Sequence, residues 1–182
     1  MHKISCNGDE VYILKNFLSN KECDKYFKMI DDIGYNAKPI PWEERAVEIT
    51  TDPIVDKVTK YINERFNLNL IVEQAETQNH NINSYSVFHV HDHEVRKHIV
   101  YNSLLYLNDN FEGGETIFPH FNFKTKVETG SVLLFPCSWS YLHKGNPVKK
   151  GHAKYVLGTF LNYIDGQTLN RIGDTTLGTK GI

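Results

Sequence analysis

The sequence predicts a mixed α+β fold in which two helices precede a sandwich or barrel of short strands. Apolar residues recur three or four positions apart within the first part of the chain, which is the helical period. From about Leu68 onward the pattern changes to short runs rich in Val, Ile, Tyr, Phe and Leu, separated by Gly, Asn, Asp and Pro. Strands joined by short turns are typical of sandwiches and barrels, and the helices ahead of them make the class mixed.

Both predicted helices carry start signals. The first begins at Ser19, because Ser19 and Glu22 have the spacing of a capping box. Its apolar face consists of Cys23, Phe27, Ile30 and Ile33. The second begins at 51–53, where Thr-Asp-Pro supplies a cap and a proline for the first turn. Its apolar face consists of Ile54, Val58, Tyr61, Ile62 and Phe66.

The strand-rich part has three clear strands, predicted at 102–108, 131–135 and 154–161. Turn signals lie at 112–114, 128–130 and 146–147. No repeat or linker interrupts the chain, so we expect one domain over 1–182. It comprises N-terminal helices with supporting strands at 1–80, a core at 81–164 and a polar tail at 165–182.

Composition narrows the class of protein. The 182 residues are 40% hydrophobic and 23% charged, which is ordinary for a globular domain. The formal charge of -2 gives no field that would attract nucleic acid, and no apolar stretch is long enough for a membrane span. Three cysteines without CxxC spacing argue against a disulfide framework or a cysteine zinc site. We therefore expect a cytoplasmic protein, either a monomer or a homodimer.

Histidines are concentrated in one short segment. His89, His91, His93 and His98 fall within ten residues, whereas nine histidines in the chain predict about one half in such a window. Residues two apart on a strand face the same side, so two of these imidazoles could share a metal ion. Asp92 would point away unless the strand has ended or bulged there. The alternative is a polar loop whose histidines are merely solvated.

Two further segments carry a family resemblance. Residues 106–119 read YLNDNFEGGETIFP, and 134–157 contain LFP, then a histidine, then G-x-P-V-x-x-G and K-Y-V-L. In that order and spacing they resemble the Fe(II)/2-oxoglutarate dioxygenases of the prolyl 4-hydroxylase type. The resemblance covers about Asn81 to Tyr163. It implies a double-stranded β-helix, or jelly-roll, core with the N-terminal helices packed on its major sheet.

The resemblance implies a metal site. Such enzymes hold Fe(II) with two histidines and a carboxylate, which leaves positions open for co-substrate and O2. His143 corresponds to the distal histidine, and His91, three residues after Phe88, corresponds to the first. The family's acid two residues later is absent, because His93 occupies that position.

Three interpretations of the third ligand remain open. A backbone irregularity could bring Asp92 to the metal, His93 could complete an all-histidine site, or the register could start at His89 with His91 second. His91 is a ligand under all three. An all-histidine site would leave the metal its full charge and would also suit Zn, Ni or Cu.

The resemblance also implies a co-substrate pocket. The far carboxylate of 2-oxoglutarate requires a buried cation with a hydroxyl beside it. These roles fall on Lys154 and Tyr106, and Thr116 and Thr159 could add hydroxyls. Lys154 follows His143 by one residue more than is usual, and we place the extra residue in the turn at 149–152 so that Lys154 still faces inward.

The expected activity is hydroxylation of a prolyl or other peptide side chain, or of a small molecule, with decarboxylation of 2-oxoglutarate to succinate. The expected cofactors are Fe(II), 2-oxoglutarate and O2, with a need for ascorbate left open. A non-catalytic module that binds a metal or a carboxylate is the rival, and a zinc hydrolase using Glu94 as base has no motif to support it. For Trp139 and Tyr141, packing in the core is preferred to a role in the wall of a substrate groove. The unassigned histidines are His2, His80, His120 and His152.

Overall fold

The computed structural model describes residues 1–6, 8–32, 47–83, 85–91 and 99–164. Strands dominate these ranges, with two α-helices near the N-terminus. The elements in chain order are β1 (His2–Cys6), β2 (Asp9–Leu14), α1 (Asn20–Asp32), β3 (Val47–Glu48), α2 (Pro53–Phe66), β4 (Leu70–His80), β5 (Ile99–Tyr106), β6 (Phe111–Gly113), β7 (Thr116–Phe118), β8 (Phe123–Lys124), β9 (Val132–Pro136), β10 (Lys144–Gly145), β11 (Val148–Gly151) and β12 (Lys154–Tyr163).

A seven-stranded antiparallel sheet forms the frame of the molecule. Its strand order is β1-β2-β9-β5-β12-β4-β3, so strands distant in sequence lie side by side. Two small sheets, β10-β7-β8 and β11-β6, complete the described strands. Strand β12 lies inside the large sheet, between β5 and β4, and pairs with both. Side chains of these three strands therefore alternate between the two faces of the sheet.

One face of the large sheet is covered by the two helices. Cys23 and Ile30 of α1 and Val58 of α2 lie in one buried cluster with Leu157 and Leu161 of β12. This arrangement follows from the sequence, because each helix has a single apolar stripe that must be buried against a partner. The predicted stripe residue Ile33 lies outside the described residues.

The opposite face of the large sheet is covered by the small sheets. Tyr106, Leu133 and Val156 of the large sheet share a second buried cluster with Phe118 of β7 and with Tyr141. Two sheets packed around one apolar layer form the sandwich or barrel that the strand pattern predicted. The interior of this barrel is where the functional side chains converge.

Both helices begin at the capping groups that the sequence contains. The main-chain N–H of Ser19 donates to the Glu22 carboxylate at 2.8 Å, and the N–H of Glu22 donates back to the Ser19 hydroxyl at 3.3 Å. Asp52 caps α2 by accepting from the N–H of Ile54 at 2.9 Å. The same Asp52 oxygen accepts from the Tyr26 hydroxyl at 2.5 Å, which joins the two helices.

The three predicted strands are present with shifted ends. The one expected at 102–108 starts earlier, at Ile99, and the one expected at 154–161 continues to Tyr163. The turn glycines Gly113, Gly114 and Gly130 all have positive φ, which explains their residue type. Among the described helices, neither is long and apolar enough to span a bilayer.

Candidate metal centre and adjoining pocket

The candidate site begins with a main-chain pairing inside the barrel. His89 and His143 form an antiparallel bridge in which each N–H donates to the other residue's carbonyl, at 2.9 and 3.0 Å. Residues paired in this way have neighbouring side chains on the same face. The two imidazole rings accordingly lie 4.3 Å apart between centroids.

His91 adds a third imidazole to the pair. Its ring centroid lies 5.1 Å from that of His89 and 5.0 Å from that of His143. One ring nitrogen from each of the three residues lies within 4.8 Å of the other two. We name this group the histidine triad. Three converging nitrogens at this separation are suited to a divalent transition metal.

Two members of the triad are held in a defined tautomer. Nδ1 of His89 lies 2.8 Å from the carbonyl of Val87, and Nδ1 of His143 lies 2.9 Å from the carbonyl of Tyr141. A carbonyl oxygen can only accept, so each Nδ1 carries the proton and each Nε2 keeps its lone pair. Such hydrogen bonds behind the ring are the usual support of metal-binding histidines.

Burial keeps His143 neutral. Its side chain is 4% exposed, and burial, reinforced by the neighbouring His89, lowers the pKa of His143 to about 3. The hydrogen bond to Tyr141 opposes this shift only in part. A neutral imidazole is the form that binds a metal, so His143 needs no deprotonation at neutral pH.

His91 is supported differently from the other two. Its Nε2 lies 3.1 Å from Nδ2 of Asn102, a β5 residue that is 1% exposed. Phe160 of β12 packs against the same ring at 5.2 Å between centroids. The pair Asn102 and Phe160 are direct partners across β5 and β12, so His91 sits over the sheet.

The structure describes only some of the predicted ligands. The structure places His91 and His143 in one group, and the third imidazole is that of His89, as in the interpretation in which the register starts at His89. Asp92 and His93 lie outside the described residues. Glu94, named for the zinc hydrolase, also lies outside them.

Lys154 occupies the interior end of β12. It is 4% exposed, and its Nζ donates to the carbonyl of Gly114 at 2.8 Å. Burial lowers the pKa of Lys154 to about 8, an effect that the charge of Glu115 opposes. The register of β11 against β6 shifts between Val148 and Lys150, at the start of the turn in which the sequence places the extra residue. The contacts of Lys154 with Tyr106 and Gly114 show that it faces the barrel interior.

The Lys154 ammonium packs beside Tyr106, whose hydroxyl belongs to a hydrogen-bonded group. Its Nζ lies 5.2 Å from the ring centroid of Tyr106, whose hydroxyl is 3.2 Å from that of Thr116. Burial raises the pKa of Tyr106 to about 12, so this hydroxyl stays protonated. Thr125 also bonds Tyr106 and accepts from the N–H of Thr116 at 2.8 Å. We name the group Lys154, Tyr106, Thr116 and Thr125 the lysine pocket.

Thr159 requires a correction, because the structure does not bring it to the lysine pocket. Side chains alternate along β12, so Thr159 lies on the helix-covered face with Leu157 and points away from Lys154. Its hydroxyl pairs with that of Ser103 at 2.6 Å. Thr159 and Ser103 thus satisfy each other's hydroxyl groups on the helix-covered face. The sequence alone could not assign Thr159 to a face, because that requires the register of the strands.

A row of polar side chains follows the inward face of β4. Glu76 accepts from the amides of Gln74, at 3.3 Å, and Gln78, at 2.7 Å. His80, left unassigned by the sequence, lies 3.2 Å from the Gln78 oxygen. Glu76 is opposite Gly158 on β12, where a side chain would reach Gln78 Nε2 at 3.4 Å. The absent side chain of Gly158 leaves room for this row.

Sequence reasoning missed Asn102 and Thr125. The signal for Asn102 was available, since it stands two and four positions before the inward residues Leu104 and Tyr106. Tyr141 is buried against Phe121, as the packing assignment expected. Trp139, by contrast, is 73% exposed and therefore is not a core residue.

Comparison with known proteins defines the family. The model of the 2OG-Fe(II) oxygenase superfamily matches residues 59–162, which is more than half of the chain. The chain therefore belongs to the 2OG-Fe(II) oxygenase superfamily. The match includes the whole histidine triad and the whole lysine pocket.

Solved structures with the same fold include two prolyl hydroxylases. The viral collagen prolyl hydroxylase of Paramecium bursaria Chlorella virus 1, in complex with 2OG, has a TM-score of 0.72 at 21% identity and covers 87% of this chain and 99% of that chain. A Pseudomonas putida prolyl-4-hydroxylase has a TM-score of 0.66 at 15% identity over 85% of this chain and 92% of that chain. The fold is therefore the double-stranded β-helix of these oxygenases, as predicted.

One sequence relative is a predicted prolyl 4-hydroxylase of Acanthamoeba polyphaga mimivirus. It is 41% identical over 56 residues, an alignment that spans 26% of this chain and 23% of the relative. A match of that extent describes one segment and not the whole of either protein.

The residues present fit Fe(II). In His89 and His143 the carbonyl contacts leave the proton on Nδ1 and a lone pair on Nε2, and all three donors are nitrogens. Imidazole suits Fe(II), and three ligands leave positions open for further ligands. The opposing lysine pocket supplies one buried cation and several hydroxyls for a carboxylate.

Proposed function

We propose that the protein is an Fe(II)- and 2-oxoglutarate-dependent oxygenase that hydroxylates a prolyl or other peptide side chain while 2-oxoglutarate is converted to succinate and CO2. The observation that carries this proposal is the placement of two complementary groups in one barrel. The histidine triad lies at the level of Phe160 on β12, and Lys154 lies at the other end of the same inward row. Membership in the superfamily supports the same conclusion.

Each group has a separate task in this reaction. His89, His91 and His143 would hold Fe(II), which when bound supplies the redox chemistry that couples O2 to 2-oxoglutarate and a C–H bond. Lys154 would neutralise the far carboxylate of 2-oxoglutarate, and the hydroxyl of Tyr106 would donate a hydrogen bond to that carboxylate. Their burial excludes water and strengthens both interactions.

Exposed apolar side chains within four sequence positions of His89 or His143 favour a peptide substrate. We name Tyr85, Val87, Phe88 and Trp139 the apolar rim; they are 61%, 60%, 46% and 73% exposed. Phe88 precedes the ligand candidate His89 and stacks below Lys144, whose Nζ lies 4.7 Å from its ring centroid. Apolar residues exposed together beside a polar site are typical of surfaces that bind a partner. A related Trichoplax adhaerens prolyl hydroxylase, at 13% identity and a TM-score of 0.64 over 87% of this chain and 86% of that one, is in complex with a hypoxia inducible factor peptide fragment.

Several accompanying properties belong to the same proposal. The three cysteines do not have the spacing of a disulfide framework, which fits a reducing compartment such as the cytoplasm. Ascorbate would act as a reductant when turnover is uncoupled from substrate. The protein would work as a monomer or a homodimer, without nucleic acid or membrane as a partner.

The test is hydroxylation of defined peptides. Iron-loaded protein is incubated in air with 2-oxoglutarate and a proline-rich peptide library, and products are scored by mass for the gain of one oxygen atom. Peptides in which proline is replaced by alanine form the matched control. Oxygen gain confined to proline-containing peptides supports prolyl hydroxylation, gain in both sets moves the substrate to another side chain, and no gain with any peptide contradicts a peptide substrate.

A further inference from the structure

Asn102 is the polar residue beneath the histidine triad. It lies on β5 between Phe135 of β9 and Phe160 of β12, its direct partners across the sheet. Both phenylalanine rings also pack against His91, at 6.3 and 5.2 Å between centroids. A carboxamide that is 1% exposed between two aromatic rings is unfavourable unless it is hydrogen bonded.

The carboxamide of Asn102 has one polar neighbour among the described side chains. Nδ2 lies 3.1 Å from Nε2 of His91, whereas Oδ1 is buried without a hydrogen-bond partner. A half turn about the Cβ–Cγ bond interchanges the two atoms and would place Oδ1 against His91. The amide can therefore either donate to His91 or accept from it.

The choice between donating and accepting determines which nitrogen of His91 can bind a metal. A ring nitrogen offers one lone pair in the ring plane, and the direction of the Nε2 lone pair of His91 is taken by Asn102. A metal at His91 must then use Nδ1. For Nδ1 to be bare in a neutral ring, Nε2 must carry the proton, and that proton requires an acceptor.

We propose that Asn102 is a positioning residue that accepts the Nε2–H of His91 through Oδ1, so that His91 presents Nδ1 to the metal while His89 and His143 present Nε2. The inference rests on the proposed function, because it assumes that the triad binds a metal. Asn102 would then do for His91 what the carbonyls of Val87 and Tyr141 do for the other two rings. Hydrogen bonds of this kind orient a ligand and raise its basicity.

The tautomers can be measured directly in the wild-type protein. Zn(II) serves as a diamagnetic probe, and the ¹⁵N shifts of the bound imidazoles identify the protonated nitrogen of each ring. We expect a proton on Nε2 of His91 and on Nδ1 of His89 and His143. Protonation of His91 on Nδ1 would overturn the inference, and this measurement needs no variant that must fold.

Variants of Asn102 test the same hydrogen bond by affinity. Co(II) titrations followed by absorbance compare the wild type with Asn102→Leu and Asn102→Asp. Asn102→Leu should weaken Co(II) binding by about tenfold or more, in the range of other residues that orient metal ligands, whereas Asn102→Asp keeps the acceptor and should stay within about threefold. Unchanged affinity in Asn102→Leu, or an equal loss in Asn102→Asp, contradicts the inference.

The chain offers a matched control for burial. Asn79 of β4 is also buried with an unpartnered Oδ1, but it faces the helix-covered side of the sheet. Asn79→Leu should leave Co(II) affinity unchanged, and a loss equal to that of Asn102→Leu would indicate a general packing effect. In a His91→Ala background, Asn102→Leu should cause no further loss. A wild-type protein that binds neither Zn(II) nor Co(II) would contradict the proposed function itself.

Discussion

His89 and His143 exchange both of their main-chain hydrogen bonds, at 2.9 and 3.0 Å, although one lies ahead of β5 and the other just ahead of β10. Backbone pairing alone thus holds the two imidazoles side by side, and a metal ion is not needed to bring them together. His91, two residues further along, then completes the triad on the same side. This pairing makes the metal site a property of the barrel and not of a local loop.

Removal of a triad imidazole should abolish tight metal binding. We expect His89→Ala and His143→Ala to weaken Fe(II) binding by about a hundredfold or more, because losing a ligand exceeds the effect of losing its supporting hydrogen bond. Anaerobic equilibrium dialysis measures the affinity. His2→Ala, at an exposed position on β1, is the control and should bind as the wild type does. Full affinity in both triad variants would place the metal elsewhere.

Lys154 should make 2-oxoglutarate binding sensitive to pH. Burial holds its folded-state pKa at about 8, below the ordinary value of 10.5, so the ammonium is charged below about pH 8 and loses its proton above it. Affinity for the dicarboxylate should therefore fall above about pH 8, by at most tenfold per pH unit for one proton. Lys154→Arg stays charged and should remove this decline. A flat profile in the wild type would contradict the assignment.

Titration of Lys154 should also make the free energy of unfolding depend on pH, and without co-substrate this dependence has the opposite sign. Between about pH 8 and 10.5 the unfolded chain keeps a proton on Lys154 that the folded chain has lost. Stability contributed by this group then rises with pH, by about 1.4 kcal/mol per unit at most. Urea midpoints of the wild type relative to Lys154→Met check the sign across that window.

Gly114 should be required for the geometry of the lysine pocket. Its φ is +70°, and a Cβ there would lie 2.9 Å from the Phe111 ring and 3.3 Å from Lys154 Cδ. Gly114→Ala should lose about 1–2 kcal/mol of stability and also weaken 2-oxoglutarate binding, because its carbonyl accepts from Lys154. Gly8→Ala has a positive φ but open space, and should lose stability only. Equal 2-oxoglutarate affinities in the two variants would refute this role.

Asp52 should matter for stability and not for the metal. It caps α2 and accepts from Tyr26 of α1 with the same oxygen. Asp52→Ala should lower the free energy of unfolding by about 1–2 kcal/mol through loss of the cap. Tyr26→Phe removes only the bond between helices and should have a smaller effect. Urea denaturation checks both effects. A change in Co(II) affinity in either variant would contradict the independence of the helix contacts from the metal site.

Trp139 should contribute to peptide binding. It is 73% exposed within the apolar rim, so its removal leaves no cavity in the core. Trp139→Ala should raise the KM for an active peptide several-fold, in line with the size of buried aromatic contacts at interfaces, while 2-oxoglutarate affinity stays unchanged. Steady-state succinate assays at varied peptide concentration check this. An unchanged KM would remove Trp139 from the substrate surface.

Local patterns predicted the helices and the main strands, because caps, stripes and turn glycines are encoded by neighbouring residues. Ser19 with Glu22 and Asp52 with Pro53 are such signals. The site was harder to predict, since it depends on register between strands that are distant in sequence. His89 joins the triad through its pairing with His143, and Thr159 leaves the pocket because it faces Ser103. The spacing of residues along the sequence does not indicate either relationship.

The most direct test is conversion of 2-oxoglutarate to succinate by anaerobically iron-loaded protein after air is admitted, measured beside His143→Ala, with and without proline-rich peptide. We predict succinate formation that requires O2, rises with peptide and is lost in His143→Ala. If the wild type binds Fe(II) and 2-oxoglutarate but forms succinate at the rate of His143→Ala with every peptide, the protein is a binding module and the oxygenase account is wrong.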